Sequence, residues 1–223
     1  MSDPSPASTI GVIDYGAGNL RSVCNALSHL GTPDEQVRLV RGPADFAGLD
    51  RLIFPGVGAF GDCAEAVDRQ DLRGPLTDWL AADRPFFGIC VGYQVLFGES
   101  EECPGQAGLG FFEGPVVKFS FPDPDQRHLK IPHMGWNQLK LVDPDLPLWQ
   151  GLPTHPHVYF VHSFYPQPVD QSLISATTDY GGEFGAAIQS GNITATQFHP
   201  ERSQSVGLKL LGNFLEQAAA LSS

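Results

Sequence analysis

Gly88-Ile89-Cys90-Val91-Gly92 sets a thiol between two glycines, after the apolar run 85–89 and before residues 91–98, which suit a helix. This is the spacing of a nucleophile elbow, with Cys in the place of Ser. A sharp strand-to-helix turn holds a nucleophile in a sparsely populated backbone region, and small neighbours let the chain close around it. The N-terminus of the following helix puts partial positive charge near the sulfur and favours thiolate. Taken alone, such a cysteine reads equally well as a small buried hydrophobe. Gln197-Phe198-His199-Pro200-Glu201, after the apolar stretch from Ile193, tips the balance. A thiol nucleophile needs a base, and the base needs an orienting carboxylate. Pro200 favours extended backbone at His199, and extended chain turns residues i and i+2 to one side. Cys90, His199 and Glu201 are therefore the candidate nucleophile, base and orienting acid.

Acyl transfer through such a nucleophile also needs donors for an oxyanion. The residue after the nucleophile, Val91, is one source. Pro55-Gly56-Val57-Gly58, at another strand end, offers a second from Val57 or Gly58. Cys24 falls on an apolar helix face, and Cys63 and Cys103 lack an elbow, so these three read as structural. His133, in Pro132-His133-Met134-Gly135-Trp136-Asn137, and His162, in Tyr159-Phe160-Val161-His162-Ser163, read as packed or interfacial. Neither the histidines nor the cysteines show metal-ligand spacing, and no metal or cofactor is expected. Gly16-Ala17-Gly18-Asn19-Leu20-Arg21 begins like a dinucleotide fingerprint. Its third glycine position is Arg21, however, and no acidic residue ends the strand-like segment 37–41. No phosphate-loop motif is present.

The elements that must position these residues follow from periodicity. Residues 9–14 are strand-like, and 20–30 carry apolar residues at helical spacing until Gly31 stops them. Segments 37–41 and 51–54 are strand-like, 61–69 and 74–82 suit helices, and 85–89 reads as a buried strand. Alternating strands and helices predict a mostly parallel central sheet flanked by helices, an α/β fold. The second half is strand-rich, over 115–119, 135–142, 157–163, 172–178, 185–189 and 192–198, and a helix over about 204–219 closes the chain. Residues 1–8 read as a frayed, disordered Pro/Ser tail and 9–223 as a single domain.

The chain has 223 residues, enough for one sizeable core, with 25 glycines and 19 prolines that predict many turns. Its formal net charge of −12 argues against nucleic-acid or anionic-membrane binding, which wants basic surface. No run approaches the roughly 18 apolar residues of a membrane span. The acidic, polar start does not resemble a signal peptide, and a cytoplasmic setting is expected.

With these residues in view, the sequence resembles the class I (triad) glutamine amidotransferase family from about residue 10 to 216. GICVGYQ, PGVG and QFHPERS carry that match. DYGAGN, PGVGAF, HMGWN and YFVHSFY are narrower. They resemble the branch that supplies ammonia to a (β/α)₈-barrel cyclase in histidine biosynthesis. The resemblance implies that Cys90 attacks the side-chain amide of L-glutamine, with His199 moving the proton and Glu201 orienting it. It implies that Gly56, Gln94, Glu102 and Ser163 hold the substrate. It also implies that segments 15–19 and 133–137 face the barrel or an ammonia route, with Asn19, His133 and Trp136 at that interface. Val91 and Tyr93 stand where Leu and Met are usual, and the bulk of Tyr93 is expected to alter packing behind the nucleophile. Three other readings fit parts of the pattern: a triad amidotransferase of another pathway, such as pyridoxal phosphate synthesis, a non-catalytic assembly subunit, and a cysteine peptidase on a related fold.

Overall fold

A computed structural model describes residues 8–17, 19–33 and 36–220. Apart from Ser8, the expected tail lies outside the described residues. The first half alternates as expected: β1 (Ile10–Ile13), α1 (Leu20–His29), β2 (Val37–Val40), β3 (Arg51–Gly56), α2 (Phe60–Arg69), α3 (Arg73–Ala81), β4 (Phe86–Cys90) and α4 (Val91–Gln94). Strands follow: β5 (Phe97–Ser100), β6 (Phe112–Lys118), β7 (His133–Gln138), β8 (Lys140–Leu141), β9 (His157–His162), β10 (Phe164–Pro166), β11 (Ile174–Asp179), β12 (Glu183–Ser190) and β13 (Ile193–Thr196). Helix α5 (Gln204–Ala220) comes last.

An eight-stranded sheet runs in the order β2-β1-β3-β4-β13-β12-β11-β8. The pairings from β2 to β13 are parallel, and those from β13 to β8 are antiparallel. β1, β3 and β4 are short, fully buried and largely apolar runs, as parallel strands covered on both faces must be, whereas the edge strand β2 is only partly buried. Val23, Ala26 and Leu27 form the buried face of α1, and Phe214 of α5 meets Phe87 of β4 edge to face at 5.2 Å. Two smaller sheets, β10-β6-β5 and β7-β9, lie outside this ladder.

Register brings the chemistry together. In the parallel sheet Gly56 of β3 pairs with Cys90 of β4, and Thr196 of β13 pairs with Ile89. The 55–58 turn and the segment running to His199 therefore leave the sheet on either side of Cys90. This is the carboxyl edge where open α/β sheets bind ligands.

The helix expected over 91–98 spans only Val91–Gln94, and Phe97–Ser100 is a strand instead. The Val95 carbonyl accepts from Leu109 N–H at 2.7 Å, and the Leu96 carbonyl accepts from Phe111 N–H at 2.8 Å. Those carbonyls would otherwise carry the helix onward. The dipole behind Cys90 is thus that of a single turn, less than the expected helix would supply. The 135–142 segment divides into β7 and β8, and β10 was not expected from the sequence.

Candidate active site

Cys90 ends β4 with φ 55° and ψ −106°, a region that non-glycine residues rarely enter. Holding it there costs on the order of 1–3 kcal/mol, a strain typical of functional turns. The neighbouring glycines permit the approach. A Cβ on Gly92 would run into the Phe54 carbonyl of β3, and one on Gly56 would strike the Gly92 nitrogen and the Val91 side chain. The elbow and the end of β3 are thus packed backbone against backbone.

His199 follows β13 in extended conformation, φ −101° and ψ 97°, as Pro200 requires. Its backbone is pinned from two sides. His199 N–H donates to the Tyr159 carbonyl at 2.9 Å, and Ser203 Oγ donates to the His199 carbonyl at 2.6 Å. Residues Pro200–Arg202 form a 3₁₀ turn, which brings Glu201 back under the imidazole. His199 Nδ1 lies 2.9 Å from Glu201 Oε1, and both side chains are almost fully buried. Asn19, at the start of α1, donates to the same Glu201 oxygen at 3.4 Å. His199 Nε2 is buried with no hydrogen-bond partner among the described residues, and both His199 and Cys90 line one pocket. Burial opposes charge on this imidazole, but Cys90 and the Glu201 carboxylate outweigh it and raise its pKa to about 10. The arrangement suits an imidazolium that can pass its proton to a group held at Cys90.

The pocket is about 390 Å³. Val57, Gly58, Val91, Gln94, Glu102 and Ser163 line it together with Cys90. Gly58 has φ +93°, available without strain to glycine. The Val57 N–H donates to the Tyr15 hydroxyl at 3.0 Å. Glu102 Oε2 accepts from Phe60 N–H at 2.7 Å, so the carboxylate caps α2 while it lines the pocket. Gly56 is absent from the lining; its observed part is to let β3 reach the elbow.

Among the residues assigned to a partner face, Trp136 is 48 % exposed, and the neighbouring Met134 and Ile131 are exposed too. His133 departs from that expectation: it is 3 % exposed and turned inward, because β7 alternates and 134, 136 and 138 take the outer face. Asn19 is half-buried against Glu201. Tyr93 is fully buried behind the nucleophile and meets Phe97 edge to face at 5.7 Å. Sequence reasoning missed two neighbours of the site. Gln197 places its Nε2 3.6 Å from Cys90 Sγ, and its spacing of two from His199 on extended chain was the available signal. Arg202 lines the pocket with its guanidinium over the Tyr159 ring at 4.5 Å.

Among the described residues no group of three or more His, Cys, Asp or Glu side chains is placed to hold a metal ion. No disulfide is present among them, and burial pushes the Cys63 thiol up to about 12.

A strained cysteine at the carboxyl edge of a parallel sheet, beside a His–Glu pair, agrees with the family comparison: residues 11–218 match the model for glutamine amidotransferase class-I. The chain belongs to the class-I glutamine amidotransferase family. A solved glutamine amidotransferase superposes with a TM-score of 0.72 at 22 % identity, covering 95 % of this chain and 100 % of that one. PurLQS from Thermotoga maritima gives 0.71 at 19 % identity, covering 95 % and 99 %; at such identities the likeness concerns the fold. Sequence relatives are more specific. The imidazole glycerol phosphate synthase subunit HisH of Aromatoleum aromaticum is 44 % identical over 216 residues, covering 95 % of this chain and 99 % of that protein. The subunit HisH of Syntrophotalea carbinolica is 47 % identical over 204 residues, covering 91 % and 97 %.

Proposed function

We propose that this chain is the glutaminase subunit of an imidazole glycerol phosphate synthase. The observation that carries the chemistry is Cys90, strained at the elbow, sharing a pocket with His199, whose imidazole is paired with Glu201. The pathway rests on the similarity to HisH subunits over nearly the full chain.

In this reading Cys90 Sγ attacks the side-chain amide carbon of L-glutamine. The carbonyl π electrons move to oxygen, and N–H groups of Val91 and of Val57 or Gly58 receive the oxyanion. His199 gives a proton to the departing nitrogen, and the C–N bond breaks to leave ammonia and a glutamyl thioester. Water then attacks the thioester, with His199 taking its proton, and glutamate leaves as Cys90 is regenerated. Glu102 receives the α-ammonium group, and Gln94 and Ser163 hold the rest of the substrate. Gly56 serves the substrate only indirectly, by letting β3 approach the elbow.

The ammonia passes to a (β/α)₈-barrel cyclase partner. There it converts N′-phosphoribulosyl-formimino-AICAR-ribonucleotide into imidazole glycerol phosphate and AICAR. Free ammonia is mostly ammonium at neutral pH, and a dry route keeps it nucleophilic. The apolar exposed cluster of Ile131, Met134 and Trp136 supports docking on this face, where an apolar patch on an acidic chain marks an interface. In this reading Trp136 meets the partner on that face and Asn19 joins the same interface, while His133 is buried on the inner side of β7. We further assign residues 9–223 to one domain and the protein to the cytoplasm. Among the described residues no helix is long and apolar enough to cross a membrane.

Glutamate release from glutamine tests the reading, measured for the chain alone and then with a cyclase barrel and its nucleotide substrate. Low activity alone, raised strongly in the complex and abolished by Cys90→Ala, is expected. Activity indifferent to that partner would return the pathway to other triad amidotransferases, and activity surviving Cys90→Ala would overturn the mechanism.

A further inference from the structure

One buried cluster of ionisable side chains is not used by this chemistry. His133 of β7 and His162 of β9 are register partners in the antiparallel ribbon and are 3 % and 5 % exposed. His133 Nδ1 lies 3.0 Å from His162 Nε2. His162 Nδ1 lies 2.9 Å from the Phe164 carbonyl oxygen, and Asn137 Nδ2 lies 3.3 Å from His133 Nε2.

These contacts fix the protons. A carbonyl oxygen only accepts, so His162 carries its proton on Nδ1. In the neutral ring Nε2 is then an acceptor, and His133 must donate to it from Nδ1. His133 Nε2 in turn accepts from the Asn137 amide. A second proton on His162 would set two N–H groups against each other. Burial holds His133 at about 4 and His162 at about 3, so both rings are neutral at neutral pH. His133 is further held between rings, stacked on Tyr180 at 3.9 Å and on Phe160 at 4.6 Å.

The chain continues into the pocket. The Phe164 carbonyl also accepts from Gln94 Nε2 at 2.9 Å. Gln94 Nε2 donates to Gln197 Oε1 at 3.2 Å, and Gln197 Nε2 points at Cys90 Sγ. A continuous run of hydrogen bonds thus joins the strand that presents Met134 and Trp136 to the nucleophile.

We propose that His133 and His162 are positioning residues of the glutaminase: as paired Nδ1–H tautomers they fix the Phe164 carbonyl, and through it the Gln94 and Gln197 amides against the substrate and the Cys90 thiol. This rests on the proposed glutaminase reading. Neither ring transfers a proton in the reaction.

The kinetic test uses the full chain in complex with its cyclase barrel. His162→Leu removes the donor to Phe164, whereas His162→Asn keeps one near the position of Nδ1. His162→Leu is expected to raise KM for glutamine by about tenfold, the scale of one lost hydrogen bond, with a smaller change in kcat. His162→Asn is expected to return KM to within about threefold of the unmodified protein. A His162→Leu protein with unchanged KM, or an impaired one that Asn does not rescue, would overturn the proposal. A readout on the unmodified chain guards against a variant that fails to fold. With ¹⁵N-labelled histidine at pH 7, both rings should show the neutral Nδ1–H pattern, and an Nε2–H or imidazolium pattern for either would overturn the proposal. If the unmodified complex releases no glutamate, the glutaminase reading falls instead, and the NMR result still decides the tautomers.

Discussion

The Tyr15 hydroxyl accepts from the Val57 N–H at 3.0 Å and donates to the Val57 carbonyl at 3.1 Å. One phenol thereby engages both polar groups of a residue placed to serve the oxyanion. Burial, with Cys63 nearby, keeps that phenol protonated by pushing its pKa up. The Val57 N–H is therefore committed to Tyr15 and must leave it before it can meet an oxyanion.

Tyr15→Phe removes both bonds while keeping the ring that packs edge to face on Phe54. One or two hydrogen bonds restrain the loop by about 1–2 kcal/mol. The partner-independent rate of glutamate release is therefore expected to rise by roughly 5–30-fold, with stimulation by the barrel falling in proportion. Initial rates with and without the barrel check this, and an unchanged basal rate would mean that Tyr15 does not restrain the loop.

Glu201→Gln keeps the shape of the acid and loses its charge. The His199 pKa of about 10 is a balance in which burial opposes the imidazolium and Cys90 and Glu201 outweigh it. Taking the carboxylate away removes a group that favours the charged ring, so the pKa falls. The alkaline limb of kcat/KM is expected to move to lower pH, and the rate to fall by up to about 10⁴-fold, the scale seen when an orienting carboxylate is neutralised. A pH–rate profile of the two proteins decides it; coincident alkaline limbs would remove Glu201 from this role.

Gly92→Ala and Gly74→Ala separate steric need from mere glycine content. A Cβ at 92 meets the Phe54 carbonyl, whereas one at 74, within α3, meets nothing within 4 Å. Gly92→Ala is expected to destabilise by about 1–3 kcal/mol and to displace the elbow. Gly74→Ala is expected to be neutral or stabilising by up to about 1 kcal/mol. Denaturant midpoints measure both, and equal effects would refute the close-approach argument.

The buried histidine pair makes the fold acid-sensitive. Burial lowers the His133 and His162 pKa values from about 6.5 to about 4 and about 3. Below pH 6.5 the unfolded chain binds protons that the fold refuses, so stability is complete above 6.5 and is lost progressively as pH falls toward 4. Urea unfolding from pH 7 to 4 should show this slope, flattened in His162→Asn. Parallel slopes would show that His162 does not contribute in that window.

The legible parts of this site were local. The elbow needs small residues on both sides of the nucleophile, and His-Pro-Glu fixes its own backbone, so Cys90, His199 and Glu201 could be read from a few residues each. The parallel order of the first strands followed from their apolar runs and glycine-ended turns. What could not be read depends on distant chain. The early end of α4 reflects carbonyls of Val95 and Leu96 captured by residues 109–112. The hold of Tyr15 on Val57 spans 42 positions. On β7 the usual polarity is inverted, with Met134 and Trp136 outside and His133 inside. Hydropathy alone therefore assigned His133 no definite face.

That inversion places two vocabularies on one strand. The side chains at 134 and 136 address whatever lies outside the protein, and the one at 133 addresses the hydrogen-bond run that leads inward to the pocket, with only the pleat to keep them apart. A slip of one residue against β9 would turn tryptophan inward and histidine outward. Recognition and catalysis would then fail together, because a single ladder alignment spells both.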